Sequence, residues 1–147
     1  MPYTVTYLDN GKGAHKYGTG VVTGIEIFTN CMQESLNEEH SRKLRYCLVD
    51  FTGTSEMRVT TGDIRRIVEV NRKLADLTPN ALVALIAPTS LPYAMARLWH
   101  TLSDDLTWTS NVFHTRPDAI AWLCKEFQAR AGTAAVLEEY PALRQEL

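Results

Sequence analysis

The run Ala81-Leu-Val-Ala-Leu-Ile-Ala87 is apolar at every position, so no side of it is suited to face water. A strand of this kind must be covered on both faces, which is the condition of a central strand in a parallel sheet. Tyr46-Cys-Leu-Val-Asp-Phe51 has nearly the same character, interrupted only by Asp50. Around these strands the apolar spacing switches to the helical period. Thr23-Gly24-Ile25-Glu26 carries a hydroxyl and, at the i+3 position, a carboxylate, the two parts of a capping box, and Ile25, Phe28, Met32 and Leu36 follow as the predicted core stripe. Thr60 or Thr61 with Asp63 opens a second helix with Ile64, Ile67, Val68 and Leu74 inward, ending at Thr78-Pro79-Asn80. Pro88-Thr89-Ser90 leads into a third, on which Leu91, Met95, Leu98, Trp99 and Leu102 share a face. Thr115-Arg116-Pro117-Asp118 starts a fourth, with Ile120, Leu123, Cys124 and Phe127 inward until Gly132.

Two strands precede this alternation and one weaker strand interrupts it. Tyr3 to Leu8 is β-branched and aromatic, and Asp9-Asn10-Gly11 supplies the positive φ angles of a tight reversal into a strand over His15 to Val22. The weaker strand runs from about Thr107 to His114. Strands alternating with helices ask for right-handed crossovers and a mostly parallel sheet. The chain is therefore expected to form one α/β domain over residues 1–132. Its sheet is five-stranded and mostly parallel, with an antiparallel first strand near an edge and about four packed helices. A tail over 133–147 follows, with a short helix broken by Pro141.

Composition excludes several function classes. The 147 residues are 45% hydrophobic and 22% charged, enough to bury a core and unlike a disordered segment. Fifteen Lys plus Arg against seventeen Asp plus Glu leave a net charge of −2, so no global positive field gathers nucleic acid. Cys31, Cys47 and Cys124 form no close pair, which suits a reducing compartment. The start Met1-Pro2-Tyr3-Thr4-Val5 has no basic leader, and the longest apolar segment, Ala81 to Pro88, is far short of the roughly 20 residues that span a bilayer. The expectation is a cytoplasmic protein that at most touches a membrane surface.

No catalytic residue, cofactor or metal is assigned. Gly13 and Gly18 are spaced like the glycines of a phosphate loop, but Thr19 stands where its lysine would be, and Gly18-x-Gly20-x-x-x-Gly24 misses the dinucleotide fingerprint. His15, His40, His100 and His114 are scattered, without zinc-ligand spacing, and Cys124 lies on a core stripe. In open α/β sheets ligands collect beyond the carboxyl ends of the strands, here Asp50 to Ser55, Pro88 to Tyr93, and His114 to Arg116. On the third helix Tyr93, Arg97, His100 and Asp104 line up opposite the apolar stripe, with Tyr93 and Arg97 toward that edge, where an anionic head group could be held. The alternative is a solvated face. Arg58, Arg65, Arg66, Arg72 and Lys73 on or before the second helix, broken by Glu69, form either an acidic-partner or membrane patch or a solvated face. Ile27, Cys31 and Trp122 lie off the main stripes and are open to a dimer contact, a lipid or neighbouring elements.

Thr23-Gly24-Ile25-Glu26, Tyr46-Cys-Leu-Val-Asp-Phe51, Ala84-Leu-Ile-Ala-Pro88, Tyr93-Ala-Met-Ala-Arg97-Leu-Trp99, and Val112-Phe113 with Asp118-Ala-Ile-Ala-Trp122-Leu123 together resemble the SpoIIAA-like proteins. That family is also described as STAS-like or STAS/CRAL-TRIO-like, and the resemblance covers about residues 3 to 128. It implies a β/α domain that acts without catalysis. Relatives in the wider group bind protein partners, including anti-sigma-factor kinases, and are switched by phosphorylation where a helix begins after the third strand. Thr60-Thr61-Gly62 matches that place, with Val59 where an aspartate usually stands. The similarity to lipid-binding CRAL-TRIO domains implies an apolar ligand cavity or membrane association, with Tyr93 and Arg97 as matching contacts.

Three expectations follow. The first is a non-enzymatic binding or regulatory module that holds a small amphipathic, lipid-like or anionic ligand, with Arg97 supplying charge and Tyr93 a hydroxyl. The second is a protein-interaction module of the anti-sigma antagonist kind, switched at Thr60 or Thr61. The third is an enzyme acting through Asp50, His100 or His114, which requires two of them within hydrogen-bond reach in one pocket.

Overall fold

A computed structural model describes residues 2–146, the side chain of Ala135 excepted; Met1 and Leu147, the ends of the predicted domain and tail, lie outside the described residues. Strands β1 (Tyr3–Leu8) and β2 (Gly13–Thr23) pair antiparallel around the expected reversal. Asp9, Asn10 and Gly11 have φ of +54°, +58° and +86°, the left-handed region that these residue types enter most readily. The buried Asp9 carboxylate accepts bonds from the Tyr46 hydroxyl and from the Ala142 N–H, at 2.6 Å, tying the turn to the far end of the chain.

Next come α1 (Gly24–Leu36), the short α2 (Glu38–Ser41), β3 (Tyr46–Arg58), α3 (Thr61–Leu77), β4 (Leu82–Ile86), α4 (Ser90–Leu102), β5 (Thr109–Phe113), α5 (Arg116–Ala131), and the short α6 (Thr133–Glu139) and α7 (Pro141–Arg144). The strands lie in the order β1-β2-β3-β4-β5, and every pair after the first is parallel. This is an α/β fold on a mixed five-stranded sheet. Sequential order with right-handed crossovers places the three connecting helices on one face. The packing agrees: Ile27, Ile64, Ile67, Ala96 and Trp99 share a core with Val83, Leu85 and Val112. Leu82, Ala84 and Ile86 point the other way, into a second core with Ile120, Leu123 and Phe127 of α5. β4 is thus buried on both faces, as its unbroken apolar run requires.

Helix α1 is rotated from its predicted orientation. Ile27, Cys31 and Glu34 are buried, whereas Ile25 and Leu36 are 67% and 79% exposed. The cause is a buried ion pair. Lys16 points from β2 into the same core and meets Glu34, so the inward face of α1 contains a carboxylate that a count of apolar residues assigns to solvent. Burial alone pulls the Lys16 ammonium down, but the Glu34 carboxylate beside it outweighs this and raises it well above its ordinary value. The inward face of α4 centres on Pro92, Ala96 and Trp99, with Leu91 left 49% exposed. Trp99 Nε1–H donates to Asn71 Oδ1 at 2.9 Å and so fastens α4 to α3.

Strand β3 continues past its predicted end at Phe51 to Arg58, paired with β2 throughout. Polar outward residues, Ser55, Glu56 and Arg58, conceal this extension from a search for apolar runs. Residues 133–146 are packed rather than trailing. Val136, Tyr140 and Leu143 are buried in the second core, and the Tyr140 ring stacks on Phe127 at 4.2 Å. The three cysteines are free. Burial pushes the Cys47 thiol up to about 12 and raises Cys31 and Cys124 as well, which disfavours the thiolate in all three.

Candidate functional site: a polar cleft at the carboxyl edge

Asp50 on β3 pairs with Ile86, which pairs with Phe113, and there β4 and β5 stop. β2 and β3 run on together beyond this line. The step leaves an open cleft of about 530 Å³. His15 and Tyr17 of β2 line one side of it, Asp50 and Thr52 of β3 lie beside them, and His114, Thr115 and Arg116 close it where β5 passes into α5. The pairing of Tyr17 with Asp50 is followed by Thr19 with Gly53, so β3 carries one extra residue at this point. Such a bulge bends a strand and re-aims its side chains. Gly53 also clears space for the Tyr17 ring: a Cβ there would lie 2.5 Å from Tyr17 Oη.

At the centre His15 Nε2 lies 3.0 Å from Asp50 Oδ2, and Arg116 Nη1 lies 3.2 Å from the same nitrogen and 3.5 Å from the same oxygen. His15 Nε2 serves one partner at a time. Protonated, it donates to Asp50; unprotonated, it accepts from Arg116. The first arrangement gives Asp50 Oδ2 two donors, since Arg116 reaches it as well. The other oxygen, Oδ1, accepts the Thr52 N–H at 2.9 Å and the Thr52 hydroxyl. Burial alone pushes this carboxyl up; the hydrogen bonds from His15 and Thr52 outweigh it and hold Asp50 below the usual carboxylate range. With a side chain only 3% exposed and both oxygens occupied, Asp50 positions its neighbours rather than facing a ligand.

The principal hydrogen-bond donor lining the cleft is Arg116. The Arg116 guanidinium has five N–H groups, and its second nitrogen donates to Glu146 Oε1 at 3.0 Å. Arg116 is the first residue of α5, whose cap is the Thr115 hydroxyl accepting the Asp118 N–H at 3.4 Å. The positive end of a 16-residue helix therefore adds to the guanidinium. Aromatic rings flank this charge. His15 lies 5.6 Å from Tyr17, and His114 stacks on Tyr93 at 4.1 Å with 11° between the planes.

Of the residues singled out above, Tyr93 joins the site through His114, which it backs. Arg97 is exposed on α4 and is not among the residues that line the cleft. Thr60 is exposed at the cap of α3, its hydroxyl accepting the Asp63 N–H at 3.0 Å, and Thr61 is exposed beside it. Asp50 and His114 both line the cleft without a hydrogen bond between them, and His100 Nδ1 instead meets Ser110 Oγ at 2.7 Å. The basic run near α3 is largely paired: Arg58 with Glu56, Arg66 with Asp63, and Arg72 with Glu69 and Asp105. His15, set aside above as one of four scattered histidines, and Tyr17 are cleft residues that the local sequence did not bring together. Their signal was alternation, since the residues flanking the inward Lys16 share the opposite face of β2.

Among the described residues no helix is long and apolar enough to cross a membrane, and no group of three or more His, Cys, Asp or Glu side chains converges as a metal site. No family model matches this chain, nor does any curated protein or solved structure.

Proposed function

We propose that the protein is a binding module that holds a small anionic ligand at the carboxyl edge of its sheet, with Arg116 as the primary contact. The observation that carries this reading is the convergence of His15, Asp50 and Arg116, from three separate elements, on one open cleft. Asp50, fully hydrogen-bonded, holds the two cationic or donor side chains in place. An arginine beside a helix N-terminus suits a carboxylate or phosphate. The charge contact expected of Arg97 passes in this reading to Arg116.

Size separates this site from the apolar-cavity alternative. The space between the sheet and helices α1, α3 and α4 amounts to about 90 Å³, against roughly 300–1,000 Å³ for typical ligand sites. The cleft falls inside that range, so it is the better candidate for a ligand. The SpoIIAA-like resemblance is compatible with a non-catalytic module of this kind. Its phosphoswitch counterpart, Thr60-Thr61, has the exposure a kinase needs, and phosphosite mapping after incubation with lysate and ATP tests that second reading.

A thermal-shift titration tests the first. Inorganic phosphate and acetate should raise the melting temperature of the wild-type protein, because a ligand that binds only the folded state stabilises it. Arg116→Ala should abolish that rise and Arg97→Ala should retain it. A rise that survives in Arg116→Ala and is lost in Arg97→Ala would move the site to α4.

A further inference from the structure

We infer that the ligand is a flat aromatic carboxylate, an inference that rests on the anion-binding reading and adds to it the chemical class of the bound molecule. Aromatic rings surround the charge on two sides. Arg116 supplies a planar, forked donor set of the kind that matches a carboxylate through two parallel bonds. On the β5 side the His114 imidazole lines the cleft and is itself exposed. Tyr93 stacks beneath it almost in parallel, at 4.1 Å and 11°. One face of the imidazole is thus covered, which leaves the other face as a stacking platform that Tyr93 already supports. On the β2 side His15 and Tyr17 add a second pair of rings, 5.6 Å apart and tilted by 57°.

Among the described residues, Pro88 is the one apolar aliphatic residue in this lining. A saturated acid would therefore gain little beyond its carboxylate, whereas an aryl acid gains stacking as well. Aromatic pairs in stacked or edge-on geometry add an increment that corresponds to roughly 2- to 12-fold in affinity.

The test compares benzoate with cyclohexanecarboxylate, acids of similar size that differ in ring character, and uses inorganic phosphate as the anion control, all by isothermal titration of the full chain. Benzoate should bind roughly 2- to 12-fold more tightly than cyclohexanecarboxylate. That ratio should fall toward one in His114→Ala, and also in Tyr93→Leu, which leaves the imidazole in place but unbacked. Equal binding of the two acids by the wild-type protein, or a ratio unchanged in both variants, would overturn the aromatic class while leaving the anion site standing. If phosphate and both acids fail to bind, the anion reading falls and this inference falls with it.

Discussion

Glu146 Oε1 accepts a hydrogen bond from Arg116 Nη2 at 3.0 Å, so the guanidinium at the cleft already holds one carboxylate. A ligand anion competes with it. The pair is partly exposed, 33% on the arginine and 40% on the glutamate, and such pairs contribute at most about 1 kcal/mol. Glu146→Gln should therefore tighten phosphate binding by up to about fivefold and leave the urea midpoint nearly unchanged. Weaker binding in this variant would mean that Glu146 helps to shape the site.

The Lys16–Glu34 pair behaves differently because it is buried. Removing one partner leaves an uncompensated charge in the core, so Glu34→Ala should lower stability by about 3–5 kcal/mol in urea denaturation. The double variant Lys16→Met, Glu34→Leu removes both charges and should recover most of that loss. A double variant as unstable as the single one would show that the pair does more than satisfy its own burial.

Asp50 contributes to the acid limb of stability, alongside Asp63 and Asp105, whose carboxyls their own hydrogen bonds also hold low. The folded-state pKa of Asp50 lies below the ordinary value, so the stability it contributes is fully present above the unfolded carboxylate pKa, near 4, and is lost as pH falls through the folded value. Melting temperature against pH should fall below about pH 4 in the wild type. In Asp50→Asn the curve should start lower at neutral pH and be flatter over that acid range. An identical acid limb in the variant would place the titrating group elsewhere.

Gly53 faces the ring of Tyr17 with no room for a side chain. A methyl group there would lie 2.5 Å from Tyr17 Oη and 3.2 Å from the Gly18 carbonyl oxygen, so the ring must shift and the cleft it lines changes shape. Gly53→Ala should weaken phosphate or benzoate binding several-fold while preserving cooperative unfolding. Unchanged binding would remove Tyr17 from the site.

The sheet and its long helices were legible because local signals there agree with tertiary packing. Thr23 and Glu26, and Thr60 and Asp63, form the capping boxes their spacing announces, and the run over Ala81 to Ala87 has the double burial it demands. The core stripes of α3 and α5 were legible for the same reason. The orientation of α1 was not, because its decisive residue, Glu34, is a charge neutralised by a strand residue 18 positions away. The candidate site was half visible. Strand carboxyl ends pointed to Asp50 and to the His114–Arg116 corner, but His15 reaches Arg116 across 101 positions of chain, and no local pattern encodes a pairing at that distance.

The most direct test of the central claim is to follow the Arg116 Nε–Hε resonance, with the backbone amides of residues 15, 17, 50, 52 and 114–116, by ¹H–¹⁵N NMR during titration with inorganic phosphate. Saturable shifts concentrated on these residues, and their loss in Arg116→Ala, are the expected result. Saturable shifts centred on α4 around Arg97, or no saturable shift at the cleft, would contradict the claim.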